Sequence, residues 1–247
     1  MADSYPRQRA RTRAFRLGAP RAFTPSSKRV IFLRGRSGTD PVTCMWAWDV
    51  DTRSERIIVD PAEVLADDEE LPAAERARRE RMREVSGGVT AYSVDAQGAM
   101  AAFALSGTPY AVRLDEARPE IIEVAAPGPV IDPRIDATGT RVAYVHDRDL
   151  WVADIFGEDA ERLTHADSGT VTWGIADFAA SEELERHRGF WWLPDSTGLL
   201  VERCDEAPVQ QWWIADPSNP AAEPTQHRYP QAGTANAEVS LWLIRLD

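Results

Sequence analysis

Two adjacent glutamates, Glu182 and Glu183, stand in the stretch GIADFAASEELERHRGFWWLPDSTG, residues 174–198. Two carboxylates held close together repel, and without a cation between them one tends to take up a proton. A primary ammonium suits such a pair, because it brings one positive charge and three N–H donors. Consecutive helical residues point about 100° apart, so the two converge on one guest only from a short or terminal turn that looks into a cavity. On an ordinary surface helix the same residues are simply solvated.

A second charged stretch, ERARRERMR at residues 75–83, offers arginines that could reach a ligand carbonyl or carboxylate. Glu75 and Arg79 are also spaced for an ordinary i,i+4 ion pair on a solvated helix face, and position alone does not choose among the arginines. Other chemistry has no foothold. There is no G-x-S-x-G elbow and no H-E-x-x-H, and the four histidines (His146, His165, His187 and His227) fall in turn or insertion contexts. Cys44 and Cys204 are too few for a disulfide framework or a zinc site. The residues therefore imply no catalytic group, no metal and no cofactor of this chain's own.

The elements that must carry these residues are mostly strands. The 247 residues include 17 prolines and 15 glycines, and turn-forming pairs recur between short apolar runs. A weak repeat emerges: a turn with Asp or Ser and Gly, an alternating apolar strand, then a second strand. DATGTRVAYVHDRDLWVADI predicts a turn at Asp136–Gly139 and strands over 142–145 and 150–155; VDAQGAMAAFALSGTPYAVRL and LPDSTGLLVERCDEAPVQQWWIAD repeat the pattern, and FTPSSKRVIFLRG begins a degenerate copy. The reading is an all-β chain of about four β-propeller blades. Gly98 to Gly139 spans 41 residues, an ordinary blade length, but Gly139 to Gly198 spans 59 and Ser27 to Gly98 spans 71. Each surplus holds a helix-favouring, charged insertion. One has Pro72 near a helix start and Gly87-Gly88 at its end; the other predicts a short helix over 181–188 before Gly189. A propeller displays its function on what interrupts the repeat.

The net charge of -12 argues against a nucleic-acid or acidic-membrane binder. The asymmetry is informative: residues 1–22 carry six arginines against Asp3 alone, which reads as a basic, flexible arm docked in part through Phe15 and Phe23. No run approaches the roughly 20 apolar residues of a membrane span, and the arm lacks the apolar stretch of a signal peptide, so the cytoplasm is the expected compartment.

Several of these stretches together resemble a known family. ERARRERMREVSGGVTAYSVD, PRIDATGTRVAYVHDRDLWVADIFGEDAERLT, GIADFAASEELERHRGFWWLPDS and YPQAGTANAEVSLWLI are similar, in order, to the N-terminal β-propeller of the prolyl oligopeptidase family. Within it they resemble the dipeptidyl peptidase IV branch, nearest to the cytosolic dipeptidyl peptidase 8/9-like and bacterial members. The likeness covers residues 23–247, and the double glutamate with WW behind it and the YPxAGxxN stretch carry most of its specificity. It implies that Glu182 and Glu183 grip the free N-terminal ammonium of a peptide, so that cleavage falls two residues in, after proline or alanine. It implies that Arg83 contacts the substrate backbone, with Arg81 and Arg79 behind it, and Trp191 and Trp192 read as blade core. The chemistry would belong to a serine α/β-hydrolase domain absent from these residues, supplied by a longer enzyme or by a complementing chain. It also implies a homodimer, with much of the contact made by segments outside these residues. The alternatives are a non-catalytic propeller that binds a protein partner and a truncated product without function.

Overall fold

The computed structural model describes residues 4–65, 71–81, 84, 86–115, 119–215, 217–219, 221 and 223–246, with Ala73, Ala74 and Arg81 described by their backbone. The chain divides into two compact units, Met1–His146 with Trp151–Glu161, and Asp147–Leu150 with Arg162–Asp247.

Three sheets are built largely from the first unit. The first sheet runs β1 (Arg21–Pro25), β2 (Arg29–Gly35), β3 (Val42–Asp49), β4 (Ser54–Val59), with β5 (Gly87–Gly88) added in parallel to the start of β3. The second runs β6 (Tyr92–Val94), β7 (Met100–Leu105), β8 (Thr108–Arg113), β9 (Ile121–Glu123). The third runs β10 (Ile131–Ile135), β11 (Arg141–His146), β12 (Asp149–Asp154), β13 (Ala160–Arg162). In each, strand order follows chain order, which is how short turns connect antiparallel neighbours.

The turns explain the repeat. Asp136 is fully buried, and its Oδ1 accepts from the backbone N–H groups of Thr140 and Arg141 at 2.9 and 3.1 Å. Gly139 follows with φ of +74°, a left-handed conformation that a side chain would strain. Asp95 does the same one sheet earlier, accepting from Ala99 and Met100 at 2.7 and 2.9 Å. In the first sheet Ser26 takes the aspartate's place, and its Oγ accepts from Arg29 N–H at 3.2 Å. An aspartate at the start of such a turn saturates N–H groups that the strands leave unpaired.

Alternation along β7 shows why MAAFAL reads as one apolar run. Ala101, Phe103 and Leu105 enter a core shared with Ile31, Leu33, Met45 and Val59 of the first sheet, whereas Met100 and Ala102 enter a second core with Val142, Tyr144 and Ala153 of the third. Both faces of the middle sheet are therefore buried, which requires apolar residues at odd and even positions alike.

Helices are few among the described residues: α1 (Tyr5–Arg11), α2 (Pro61–Val64), α3 (Ala73–Arg81) and, in the second unit, α4 (Phe178–Glu183). In the basic N-terminal segment, Phe15 lies against Tyr5 with ring centroids 6.1 Å apart and Phe23 lies against Phe32 at 6.0 Å; Phe15 and Phe23 are both exposed. The start of α3 follows Pro72 as its sequence implies, but Gly87–Gly88 are not its cap. They form β5, and the backbone N–H of Gly87 donates to Pro41 O at 3.0 Å.

The second unit holds β14 (Val171–Trp173), β15 (Phe190–Trp192), β16 (Gly198–Asp205), the hairpin β17 (Gln211–Ile214) with β18 (Thr225–Arg228), and β19 (Glu238–Arg245). β19 pairs with β16 along its whole length, Gly198 opposite Arg245 through Asp205 opposite Glu238. That occupies one edge of β16, so β14 and β15 share the other. β14 pairs with residues 203–205 and β15 with residues 199–201. They are two halves of a single strand position, and the segment between them is an excursion from the middle of a strand.

Candidate functional site

The excursion spans residues 174–189, and Glu202 of β16 holds its neck. The Glu202 carbonyl accepts from Gly174 N–H at 2.9 Å, and its N–H donates to Gly189 O at 2.7 Å, so the ladder resumes on each side of the gap. The two chains of the neck touch at Gly189, where a Cβ would stand 2.5 Å from the Gly174 carbonyl carbon and 2.6 Å from Ile175 N. Only glycine permits this approach.

Inside the neck the chain makes a single short helix. Asp177, extended with φ -61° and ψ 164°, caps α4 by accepting from Ala180 N–H at 3.1 Å. The helix thus begins at Phe178, three residues before the start that the sequence suggested, because Asp177 supplies the cap. It ends at Glu183. Glu185 is left-handed, with φ of +53°, and this reversal returns the chain so that Arg186 N–H donates to Ala180 O at 3.0 Å. A helix through 188 would have carried Arg186 away from that carbonyl.

Glu182 and Glu183 are the last two residues of α4, and both are exposed. Ala180 and Ser181, immediately before them, are buried. The pair therefore stands on a terminal turn, the one helical setting in which consecutive carboxylates can face a common guest. At the neck lies a partly buried ion cluster. The Glu202 carboxylate is 1% exposed, accepts from Asp177 N–H at 3.1 Å and pairs with Arg186 Nη1. Arg186 Nη2 reaches Asp177 Oδ2 at 3.2 Å, and Nη1 also donates to Arg188 O at 2.9 Å.

The WW pair lies on β15, half-buried, with Trp191 opposite Leu200 and Trp192 opposite Leu199; the fully buried aromatic of that strand is Phe190. The YPQAGTAN stretch follows β18, and its Tyr229 packs edge-on against Phe178, the first residue of α4, at 5.2 Å between centroids. Two segments some fifty residues apart thus meet at the root of the excursion.

The arginine helix belongs to the first unit. Arg79 is buried; its Nε donates to Glu75 Oε1 at 2.9 Å and its Nη1 to Ser86 O at 3.4 Å. Arg78 pairs with the same Glu75 at 3.2 Å. Arg81 is the last helical residue, and Arg83 lies outside the described residues. Sequence reasoning missed Asp177, Arg186, Glu202 and Phe178. The signal that could have found them is the pair of glycines bracketing a capped helix within one strand length.

Against known proteins, residues 104–247 match the model of the dipeptidyl peptidase IV (DPP IV) N-terminal region. The chain belongs to that family. The DPP IV N-terminal region is a β-propeller domain, and the sheets described above are of that kind. The chain is similar to dipeptidyl peptidase 8 of Mus musculus, 26% identical over 151 residues, which are 54% of this chain and 17% of the relative. It is similar to dipeptidyl peptidase 4 of Felis catus, 28% identical over 114 residues, 44% of this chain and 15% of the relative. It is also similar to inactive dipeptidyl peptidase 10 of Rattus norvegicus, 30% identical over 113 residues, 44% of this chain and 14% of the relative. The chain thus matches less than a fifth of the length of each. No described helix is long and apolar enough to cross a membrane, and among the described residues no group of three or more His, Cys, Asp and Glu is placed to hold a metal.

Proposed function

We propose that these residues are the substrate-gating propeller part of a cytoplasmic serine dipeptidyl peptidase, which removes Xaa-Pro or Xaa-Ala dipeptides from peptides with a free N-terminus. Glu182 and Glu183 bind the terminal ammonium, and Arg83, or failing it Arg81 or Arg79, contacts the peptide backbone. The observation that carries this reading is the placement of the two carboxylates: both exposed, they end a short helix on a glycine-necked excursion. A fixed anionic end on a peptide channel measures a set distance from the ammonium to the bond that is cut, and this makes an exopeptidase. The nucleophile, its histidine and its aspartate belong to an α/β-hydrolase domain in a longer polypeptide or in a complementing chain. Dimerisation belongs to that complete enzyme.

The test is the affinity of the chain for a Gly-Pro-led peptide with Glu182→Gln, Glu183→Gln and both together. Each single change is expected to weaken binding by about threefold to tenfold, in keeping with an exposed charge-assisted hydrogen bond. Unchanged affinity in the double variant rejects the ammonium site. The purified chain should not hydrolyse a chromogenic Gly-Pro substrate, and hydrolysis abolished by a serine-directed inhibitor would show that the nucleophile is here after all.

A second reading, a non-catalytic propeller that binds a protein partner, is favoured by the likeness to inactive dipeptidyl peptidase 10. It treats Glu182 and Glu183 as rim charges, indifferent to whether a peptide's terminus is free.

A further inference from the structure

We infer that Arg186, backed by Glu202 and Asp177, is a positioning residue for the Glu182–Glu183 pair, an inference that rests on the ammonium-binding reading above. Helix α4 has six residues, and a helix this short does not hold its shape in water by its own hydrogen bonds. Whatever fixes its two ends therefore fixes the carboxylates. One end is Asp177, whose side chain caps Ala180 and whose N–H is bound by Glu202 Oε1. The other is the left-handed turn at Glu185, after which Arg186 N–H returns to Ala180 O. The Arg186 guanidinium joins the two ends, with one nitrogen on Asp177 Oδ2 and the other on Glu202 Oε2. Glu202 in turn is anchored through its backbone to Gly174 and Gly189. The charged ties on the excursion pass through these three side chains, beside the packing of Tyr229 on Phe178.

Stability alone does not account for the arrangement. A buried ion pair gains little or nothing over apolar residues of the same size, because desolvation of the charges offsets their attraction. What a guanidinium bridging two carboxylates supplies is a single geometry, since it meets them in fixed directions. The charge balance is suited to the role as well. Arg186 faces two carboxylates, Asp177 and Glu202, so the cluster as a whole stays anionic. Its cation is held at the neck and leaves Glu182 and Glu183 to an incoming ammonium.

The experiment compares the affinity of the full 247-residue chain for a Gly-Pro-led peptide with a free N-terminus and for its N-acetylated form. The ratio of the two affinities is the readout, measured in wild type, Arg186→Met, Glu202→Gln and the double variant Arg186→Met/Glu202→Met. The double variant removes the most deeply buried carboxylate together with its arginine and leaves Asp177, which is 14% exposed and still accepts from Ala180 N–H, as the one charge without its cation. Its unfolding midpoint is therefore expected to fall less than that of Arg186→Met alone, which strands the buried Glu202 as well. The preference for the free terminus is expected to fall by about tenfold to a hundredfold in the double variant, the usual loss when a supporting contact is removed behind an intact site. Glu202→Gln, which keeps an acceptor for Asp177 N–H, is expected to lose less. A folded double variant, or a folded Glu202→Gln chain should the double variant not fold, that keeps the full wild-type preference overturns the positioning role and leaves the ammonium site standing. A wild-type chain that shows no preference overturns the ammonium site, and the positioning role with it.

Discussion

Replacing Gly189 with alanine tests whether the excursion is gripped at its neck. The new Cβ would stand 2.5 Å from Gly174 C, 2.6 Å from Ile175 N and 2.7 Å from Ile175 C. Non-bonded carbon contacts are comfortable at about 3.5–4.0 Å, so the neck must open by about 1 Å. All three obstacles are backbone atoms, and no rotamer change relieves them. Opening strains the two hydrogen bonds of Glu202, to Gly189 O at 2.7 Å and from Gly174 N–H at 2.9 Å. Overpacking costs about 1–3 kcal/mol and each lost backbone bond about 1 kcal/mol, so Gly189→Ala should lose about 2–4 kcal/mol of folding stability. Gly169→Ala is the internal control, since its Cβ would meet only Arg148 Nη1 at 3.7 Å, and a surface change of that sort shifts stability by about 0.5 kcal/mol or less. The assay is urea unfolding of both variants beside wild type, with amide hydrogen exchange at Glu202. A Gly189→Ala chain that matches the control, with the Glu202 amide still protected, refutes the close neck.

Asp136→Ala should cost about 1–3 kcal/mol by leaving the N–H groups of Thr140 and Arg141 without their acceptor, read as a shift in the denaturant midpoint. Tyr144→Phe removes a buried hydroxyl that donates to Ala125 O at 2.7 Å and should cost about 1 kcal/mol in the same measurement. Burial pushes the Cys44 thiol up to about 11 and the Cys204 thiol up to about 12, from an ordinary 9.0. Both should therefore resist a thiol reagent at pH 8 until the chain unfolds. The unfolded chain releases these protons from about pH 9 and the folded chain only near 11 and 12, so stability should fall as pH rises through that window. Cys44→Ser/Cys204→Ser should flatten that part of a pH–stability profile.

The turns and strands were legible because their signals are local. Asp136 and Gly139 act within five residues, and the turn joins the short apolar runs of β10 and β11, with Ile135 opposite Val142. The double glutamate was legible as a candidate from its chemistry alone. Its support was not, for physical reasons. Glu202 lies in a strand between Val201 and Arg203, where a glutamate reads as a solvent-facing residue; it is buried because an arginine sixteen positions earlier in the chain folds over it. The split strand was hidden too, since β14 and β15 have three residues each, too short to show a period. Only pairing with a common neighbour reveals them as one position. The helix begins at Phe178 and not at Ser181 because Asp177 supplies its cap, and an aspartate followed by FAA carries no charge pattern that marks the start of a helix.

The measurement that bears most directly on the function is calorimetric titration of the chain with one Xaa-Pro peptide in two forms, free and acetylated at its N-terminus. Two carboxylates waiting for an ammonium predict at least about a tenfold loss of affinity on acetylation, the effect of removing one charge-assisted contact of about 1.4 kcal/mol. The same loss should be absent in Glu182→Gln/Glu183→Gln. Equal affinity for the two peptides in the wild-type chain contradicts the account and leaves a propeller whose glutamates decorate a protein-binding rim.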